Sequence, residues 1–208
     1  MTERPLVVGL TGSIGMGKTT TANMFRDLGI PVFDADAAVH RLYGPGGLAV
    51  PLLAEAFPGC ASDEAGVDRA ALAAFLSKYP GALQRLERIV HPLVAREQRK
   101  FIDEAQRNGE AIVVLDIPLL FETDGRKSLD AVIVVSAPED VQRSRVLGRP
   151  GMTEDKLLRL MARQMPDAEK RAQADFVVET DRGFDHAFEQ VRGIVAALLA
   201  RRKGQRHA

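Results

Sequence analysis

Cysteine is nearly absent from this sequence: Cys60 is the only one in 208 residues. No intramolecular disulfide can form, and a metal cage built on cysteines is excluded. Net charge is absent as well, since 28 Lys and Arg residues balance 28 Asp and Glu. Such a chain has no global field drawing it to nucleic acid or to an anionic membrane, so neither is expected as its main partner. No apolar run reaches the roughly 18–20 residues that cross a bilayer. The opening Met1-Thr2-Glu3-Arg4-Pro5 does not resemble a signal peptide. The expectation is a cytoplasmic protein that works on small molecules, as a monomer or weak homo-oligomer. Asparagine is scarce too. Asn23 and Asn108 are the only two and neither precedes a lysine, so the Asn-Lys-x-Asp motif by which GTPases read guanine is missing.

With 46% hydrophobic and 27% charged residues, the chain can build one sizeable core and a small inserted subdomain. Leu6 to Thr11 is a continuous apolar run of the kind that fills a buried parallel sheet. A Gly-rich loop follows, then a helix from Lys18 to Leu28 with Ala22, Phe25 and Leu28 on its buried side, ended by Gly29 and Pro31. Val32 and Phe33 begin a second strand that ends at Asp34-Ala35-Asp36. From His40 to Asn108 the pattern is helical and broken by turns, with no convincing strand. Helices are expected over Val67–Leu76 and Leu83–Asn108, the latter interrupted at His91-Pro92. The sheet resumes with Ala111–Asp116 and Ala131–Val135 and ends with Phe176–Val178.

Between the last two strands lies an arginine-rich helical segment around the turn Gly148-Arg149-Pro150-Gly151, with Thr153 placed to cap a helix. Arg159 and Arg163 stand four apart there. A final amphipathic helix carries Phe184, Phe188, Val191, Val195 and Leu198 on one side. The tail holds Arg201, Arg202, Lys203 and Arg206 and reads as a frayed, solvated end. The fold class is therefore α/β, and with Gly12-Ser13-Ile14-Gly15-Met16-Gly17-Lys18-Thr19 between the first strand and its helix it is a three-layer P-loop NTPase fold with a parallel sheet, a helical substrate-binding insertion and a lid. Residues 1–39 and 110–208 would form the nucleotide-binding core, with the lid at about 143–171, and residues 40–109 the inserted acceptor-binding subdomain.

Gly12-Ser13-Ile14-Gly15-Met16-Gly17-Lys18-Thr19 satisfies the pattern G-x-x-x-x-G-K-[ST]. In such a loop the backbone curls so that successive N–H groups converge on an anion, and the next helix adds its positive end. Gly12, Gly15, Met16, Gly17, Lys18, Thr19 and Thr20 are thus the candidate nucleotide contacts. Lys18 can reach the β- and γ-phosphates of ATP, and the Thr19 hydroxyl can ligate Mg²⁺. Asp34 and Asp36 end a strand where ligands of open parallel sheets gather, and Asp36 is suited to orient an acceptor hydroxyl and take its proton. The same carboxylates could simply cap the following helix. Arg145 and Arg149 flank the lid turn, where guanidinium groups can neutralise a transferring phosphoryl group. On residues alone, His91 reads as a helix-breaking core histidine.

Several segments together resemble one family, the dephospho-coenzyme A kinases. They are Gly9 to Thr20, Leu28 to Asp36, His91-Pro92-Leu93-Val94, Pro118-Leu119-Leu120-Phe121-Glu122, and a lid bearing Arg145, Arg149 and Gln164, in the family's order from Val7 to about Asp185. The resemblance implies ATP, Mg²⁺ and dephospho-coenzyme A as ligands and transfer of phosphate to the ribose 3′-hydroxyl. It implies Asp36 as catalytic base beside Lys18 and Arg149. It also implies Asp34, His91, Pro118 and Leu119 at the acceptor, with Asp116 no more than a supporting acid. One stretch departs from the family. After the last strand, where asparagine and glycine are usual near the adenine, the chain reads Glu179-Thr180-Asp181-Arg182-Gly183, which leaves base recognition unassigned. Another P-loop small-molecule kinase and a non-catalytic ATP-binding regulator remain the alternative readings.

Overall fold

The computed structural model describes residues 3–123 and 125–205; Arg206 of the basic tail lies outside the described residues. The chain forms two compact units, one taking in the chain up to Phe33 and from Glu104 onward, the other Asp34–Asp103. In order, the elements are β1 (Leu6–Thr11), α1 (Lys18–Asp27), β2 (Val32–Asp34), α2 (Ala35–Tyr43), α3 (Val50–Ala56), β3 (Ala61–Ser62), β4 (Gly66–Val67), α4 (Arg69–Lys78) and α5 (Ala82–Arg107). There follow β5 (Ile112–Asp116), a 3₁₀ turn (Gly125–Ser128), β6 (Ala131–Ser136), α6 (Glu139–Leu147), α7 (Glu154–Met161), α8 (Asp167–Ala172), β7 (Phe176–Glu179) and α9 (Phe184–Gln205).

The first unit is built on a five-stranded parallel sheet in the order β2-β5-β1-β6-β7. β1 lies at its centre, with Val8 opposite Val114 of β5 on one side and Ala131 of β6 on the other. Every residue of β1, β5 and β6 is buried, which is why these strands read as unbroken apolar runs. Alternate side chains sort to the two faces. Leu6, Val8, Leu10, Ile112, Val114, Ile133 and Val135 join Ala22, Phe25 and Val191 in one core, while Val132 and Val134 pack with Leu120 in another. Burial of side chains of this size contributes about 1.5–3 kcal/mol each. Exposed ion pairs such as Arg192–Glu189 add about 0–1 kcal/mol, so the sheet cores hold the unit.

The second unit has its own core of Leu42, Leu53, Phe57, Leu72 and Val90, with Phe75 edge-on to Phe57 at 5.4 Å. Cys60 is buried within it as a free thiol. Asp68 caps α4 by accepting from the N–H groups of Ala70 and Ala71, each at 2.9 Å. The antiparallel pair β3–β4, where no strand is expected from sequence, has only two residues on each side; that is too short to show a period of two. Gly66 makes this turn possible: its φ is +78°, and a Cβ there would stand 2.4 Å from the Tyr43 carbonyl oxygen.

Other expectations are corrected. α5 runs through His91 and Pro92 without a break, and both residues are exposed, so His91 is neither helix-breaking nor in the core. α7 ends at Met161, leaving Arg163 in the turn beyond and off the helical face of Arg159. α9 buries Ala187, Val191, Ile194 and Leu198, whereas Phe184 is exposed. The tail is not frayed up to Gln205. Arg202 meets Glu3 at 3.4 Å and donates to the Glu110 carbonyl, and Arg201 lies over the Phe176 ring at 4.8 Å.

Pro92 in the eleventh position of a 26-residue helix removes one backbone donor and crowds the preceding turn. Interior proline is disfavoured against alanine by about 3 kcal/mol. Pro92→Ala is therefore expected to raise stability by about 1–3 kcal/mol in chemical denaturation, and a variant less stable than the native protein would show that the proline is needed for packing.

Candidate active site

The loop between β1 and α1 bends sharply enough that its glycines cannot be replaced. A Cβ on Gly12 would stand 2.6 Å from the Val135 carbonyl oxygen, and Gly15 and Gly17 have φ of +80° and +94°. A residue at positive φ beside one at negative φ turns successive N–H groups toward the same side, which is how a nest arises.

The loop's carbonyls are held by groups around it. Gln142 Nε2, from α6, donates to the Ile14 carbonyl at 2.7 Å, and Arg145 Nη1 to that of Gly15 at 3.4 Å. The Thr180 hydroxyl donates to the Met16 carbonyl at 2.8 Å. The N–H and hydroxyl of Thr21 both reach Gly17 O, at 3.0 and 3.2 Å. A trans peptide points its C=O and N–H to opposite sides. Each carbonyl drawn outward therefore turns the next residue's N–H inward. Two donors of the loop are used internally: Met16 N–H bonds to Ser13 O at 3.2 Å and Ile14 N–H to Gln164 Oε1 at 3.2 Å. The N–H groups of Gly15, Gly17 and Lys18, turned inward in this way, make the candidate anion site, at the N-terminus of α1.

Lys18 forms an ion pair with Asp116, the last residue of β5; their side chains are 17% and 9% exposed. A cation so little solvated needs a counter-charge, and Asp116 supplies it. Thr19 and Thr20 follow in the first turn of α1, both exposed. A cavity of about 420 Å³ is lined by Gly15, Gly17, Thr20, Arg145, Arg149 and Thr180, a size that suits a nucleoside. A second, of about 630 Å³, lies along Ser13, Met16, Gln142, Gln164, Asp167 and Arg171. The structure thus brings Gly12 to Thr20, Arg145 and Arg149 to one place. Arg145 is engaged there by protein groups, donating to the Thr180 carbonyl at 2.7 Å as well as to its hydroxyl.

Pro118 and Leu119 follow β5. The Pro118 carbonyl accepts from the Thr11 hydroxyl at 3.3 Å, and Leu119 is 41% exposed. Asp34, Asp36 and His91 belong to the second unit. The strand stops at Asp34, whose carboxylate accepts from the Ala37 N–H at 2.8 Å and so caps α2. The helix-capping reading therefore holds for Asp34. Asp36 is helical rather than at a strand end, exposed in the first turn of α2, where the helix dipole favours a carboxylate.

Gln142, Thr180 and Lys170 have structural positions that sequence reasoning did not assign. Lys170 of α8 is fully buried and pairs with Glu122 at 2.9 Å. Burial alone would raise the Glu122 carboxyl. The Met165 N–H at 2.8 Å and the Lys170 ammonium outweigh that and hold it below the usual carboxylate range. Met165 adjoins Gln164, so this pair fixes the stretch that reaches the phosphate loop. The two partners are unequal. Glu122→Ala strands an ammonium whose side chain is 0% exposed and is expected to cost about 3–5 kcal/mol. Lys170→Met leaves a carboxylate that still holds the Met165 N–H, and is expected to cost about 1–2 kcal/mol. Urea denaturation of both variants measures the difference; equal or reversed costs would mean that the ammonium finds another counter-charge.

Comparison with known proteins places these features in a family context. Residues 6–186 match the family model described as dephospho-CoA kinase. A protein of Mesorhizobium japonicum named dephospho-CoA kinase is 53% identical over 197 residues, covering 95% of this chain and 98% of its own. The solved structure of TT1252 from Thermus thermophilus is 34% identical with a TM-score of 0.79, covering 94% of this chain and 98% of that one. The structure of the dephospho-CoA kinase from Campylobacter jejuni has a TM-score of 0.64 at 19% identity, over 94% of this chain and 98% of that one, a likeness of fold.

Proposed function

The chain belongs to the dephospho-CoA kinase family, and we propose that it transfers the γ-phosphoryl group of ATP to the ribose 3′-hydroxyl of dephospho-CoA, giving CoA and ADP in the last step of CoA biosynthesis. The observation that carries this reading at the site is the nest of inward N–H groups beside Lys18, in a chain that matches the family model over residues 6–186.

Phosphoryl transfer has a loose transition state with little covalent work for the protein, so catalysis rests on positioning and charge stabilisation. The nest and Lys18 hold the β- and γ-phosphates, the ammonium turning from Asp116 toward them while Asp116 stays as its second partner. Thr20 and the 420 Å³ cavity take the α-phosphate and nucleoside. Arg149 meets the charge that spreads over the transferring group. Asp36 orients the 3′-hydroxyl and accepts its proton as the new O–P bond forms and the bond from the γ-phosphorus to the β,γ-bridging oxygen breaks. Asp34 serves this step indirectly, by capping the helix that carries Asp36. His91, Pro118 and Leu119 contact the acceptor.

Among the described residues no group of three His, Cys, Asp or Glu side chains is placed to hold a metal. The hydroxyl of Thr19, an exposed residue, is an oxygen donor of the kind Mg²⁺ takes and would be its protein ligand. Such an ion would neutralise charge on the β- and γ-oxygens. Among the described residues, no helix is long and apolar enough to cross a membrane. The proposed setting is the cytoplasm, with a small-molecule acceptor and no nucleic-acid or membrane partner.

The activity is tested by incubating the protein with ATP, Mg²⁺ and dephospho-CoA, adenosine, AMP or shikimate, and weighing the products. Phosphorylated dephospho-CoA is expected; turnover of another acceptor with dephospho-CoA inert would overturn the reading, as would binding of ATP without transfer to any.

Asp36→Asn keeps the shape but removes the base. Turnover is expected to fall about 10²–10⁴-fold, while calorimetric affinities for ATP and dephospho-CoA change little, because the lost interaction belongs to the transition state. Turnover within about threefold of the native value, well short of that range, would remove Asp36 as the base. Arg149→Ala is expected to lower turnover by about 10²-fold without altering the melting temperature, since Arg149 is exposed. Native turnover in that variant would leave Arg149 a surface charge.

A further inference from the structure

Thr180 follows directly after β7 and lies against the phosphate loop without being part of it. A Cβ built on Gly17 would come within 3.2 Å of the Thr180 hydroxyl and 3.3 Å of its methyl group. The backbone of Thr180 is fixed from both sides: its N–H donates to the Ser136 carbonyl at 3.0 Å and its carbonyl accepts from Arg145 Nη2 at 2.7 Å.

The hydroxyl has one proton. The Met16 carbonyl stands 2.8 Å away and the Ser136 carbonyl 3.4 Å, so the proton goes to Met16. The oxygen in turn accepts from Arg145 Nη1 at 2.9 Å. Guanidinium, hydroxyl and loop carbonyl therefore form one directed chain. A hydroxyl that accepts from a cation becomes a stronger donor, which strengthens its hold on the Met16 carbonyl. Since the peptide is planar and trans, that hold fixes the direction of the Gly17 N–H, one of the inward donors of the nest.

We propose that Thr180 is a positioning residue for the nucleotide's phosphates: it relays the charge of Arg145 to the Met16 carbonyl, aims the Gly17 N–H at the bound phosphate, and does not read the base. The hydroxyl's single proton is committed to the Met16 carbonyl, which leaves none to donate to an acceptor on the base. The proposal rests on the reading that the loop holds phosphate, and it is independent of the identity of the acceptor.

The test uses two probes on the full chain by calorimetry, ADP and inorganic tripolyphosphate, the latter having no base. Native protein that fails to bind tripolyphosphate would undercut the nest itself and overturn the proposal with it. Thr180→Val keeps the shape and loses the hydroxyl. It is expected to weaken both probes by the same factor, roughly tenfold, as for loss of one hydrogen bond next to a charged group. Thr180→Ser keeps the hydroxyl and should stay within about twofold of native for both, well short of that loss. Weakening of ADP alone would show a base contact and overturn the proposal. A lower melting temperature with both affinities unchanged would also overturn it, leaving Thr180 as a staple of its own loop. Should Thr180→Val fail to fold, Thr180→Ala removes the same hydroxyl from a smaller side chain, and its effects are read in the same way. A double-mutant cycle with Arg145→Met tests the relay: the combined loss should be smaller than the product of the single losses, and strictly multiplicative losses would mean that the two side chains act separately.

Discussion

An anion nest requires donors that have no partner in the protein yet point in one direction. Nothing holds an unpaired N–H directly; it can be held only through the carbonyl on the other side of its peptide plane. In this chain that constraint explains why α6, β7 and α1 gather around a loop of a few residues. Gln142, Thr180 and Thr21 each take one carbonyl of the loop, and Arg145 both reaches Gly15 O and supports Thr180. The parallel sheet makes the gathering possible. With β6 next to β1 and β7 next to β6, the segments that follow all three strands leave the sheet at the same end. Preorganised dipoles of this kind need little rearrangement when charge moves at the γ-phosphate.

Buried cations give the same region its second constraint. Lys18 and Lys170 have side chains 17% and 0% exposed, and each has one carboxylate partner on the segment that begins with β5, Asp116 and Glu122 respectively. The first pair ties the start of α1 to the end of β5, and the second adjoins the turn that carries Gln164. A buried pair is weak support for stability, because desolvation offsets much of the attraction. Its value here is directional. Asp116 fixes the position of the Lys18 ammonium, and Glu122 with the Met165 N–H keeps Gln164 at the Ile14 N–H.

What the sequence made legible follows from the length scale of each signal. The strands Leu6–Thr11, Ile112–Asp116 and Ala131–Ser136 are buried on both faces, so each appears as an unbroken apolar run. The phosphate loop is legible because positive φ demands glycine at fixed spacing. The Thr153 cap of α7 is also legible, and the structure shows its hydroxyl accepting from Lys156 N–H. The failures come from tertiary context. His91-Pro92 reads locally as a break, yet α5 continues through it, because one missing hydrogen bond does not outweigh the packing of a 26-residue helix. Lys170 looks like any lysine in Glu169-Lys170-Arg171, and only its partner 48 positions earlier explains its burial. Thr180 lies in the stretch Glu179–Gly183, which departs from the family's pattern and leaves base recognition unassigned. Its hydroxyl instead belongs to the phosphate loop, a role that depends on Met16, 164 positions away in the chain.

The two units differ in what they can specify. On the proposed function, the nest, Lys18 and the arginines of the lid answer to charge and geometry that any nucleoside triphosphate presents, and so say little of the acceptor. The second unit has its own core around Leu53, Phe57 and Leu72 and its own capped helices. A unit stabilised from within can change its exposed side chains at low cost, since surface substitutions rarely move stability by more than about 0.5 kcal/mol. Asp36 and His91 are such exposed residues. On the proposed function, acceptor choice would fall to such residues, whose side chains are not needed for folding, whereas Gln142 and Thr180 hold the loop's carbonyls and cannot vary without releasing them.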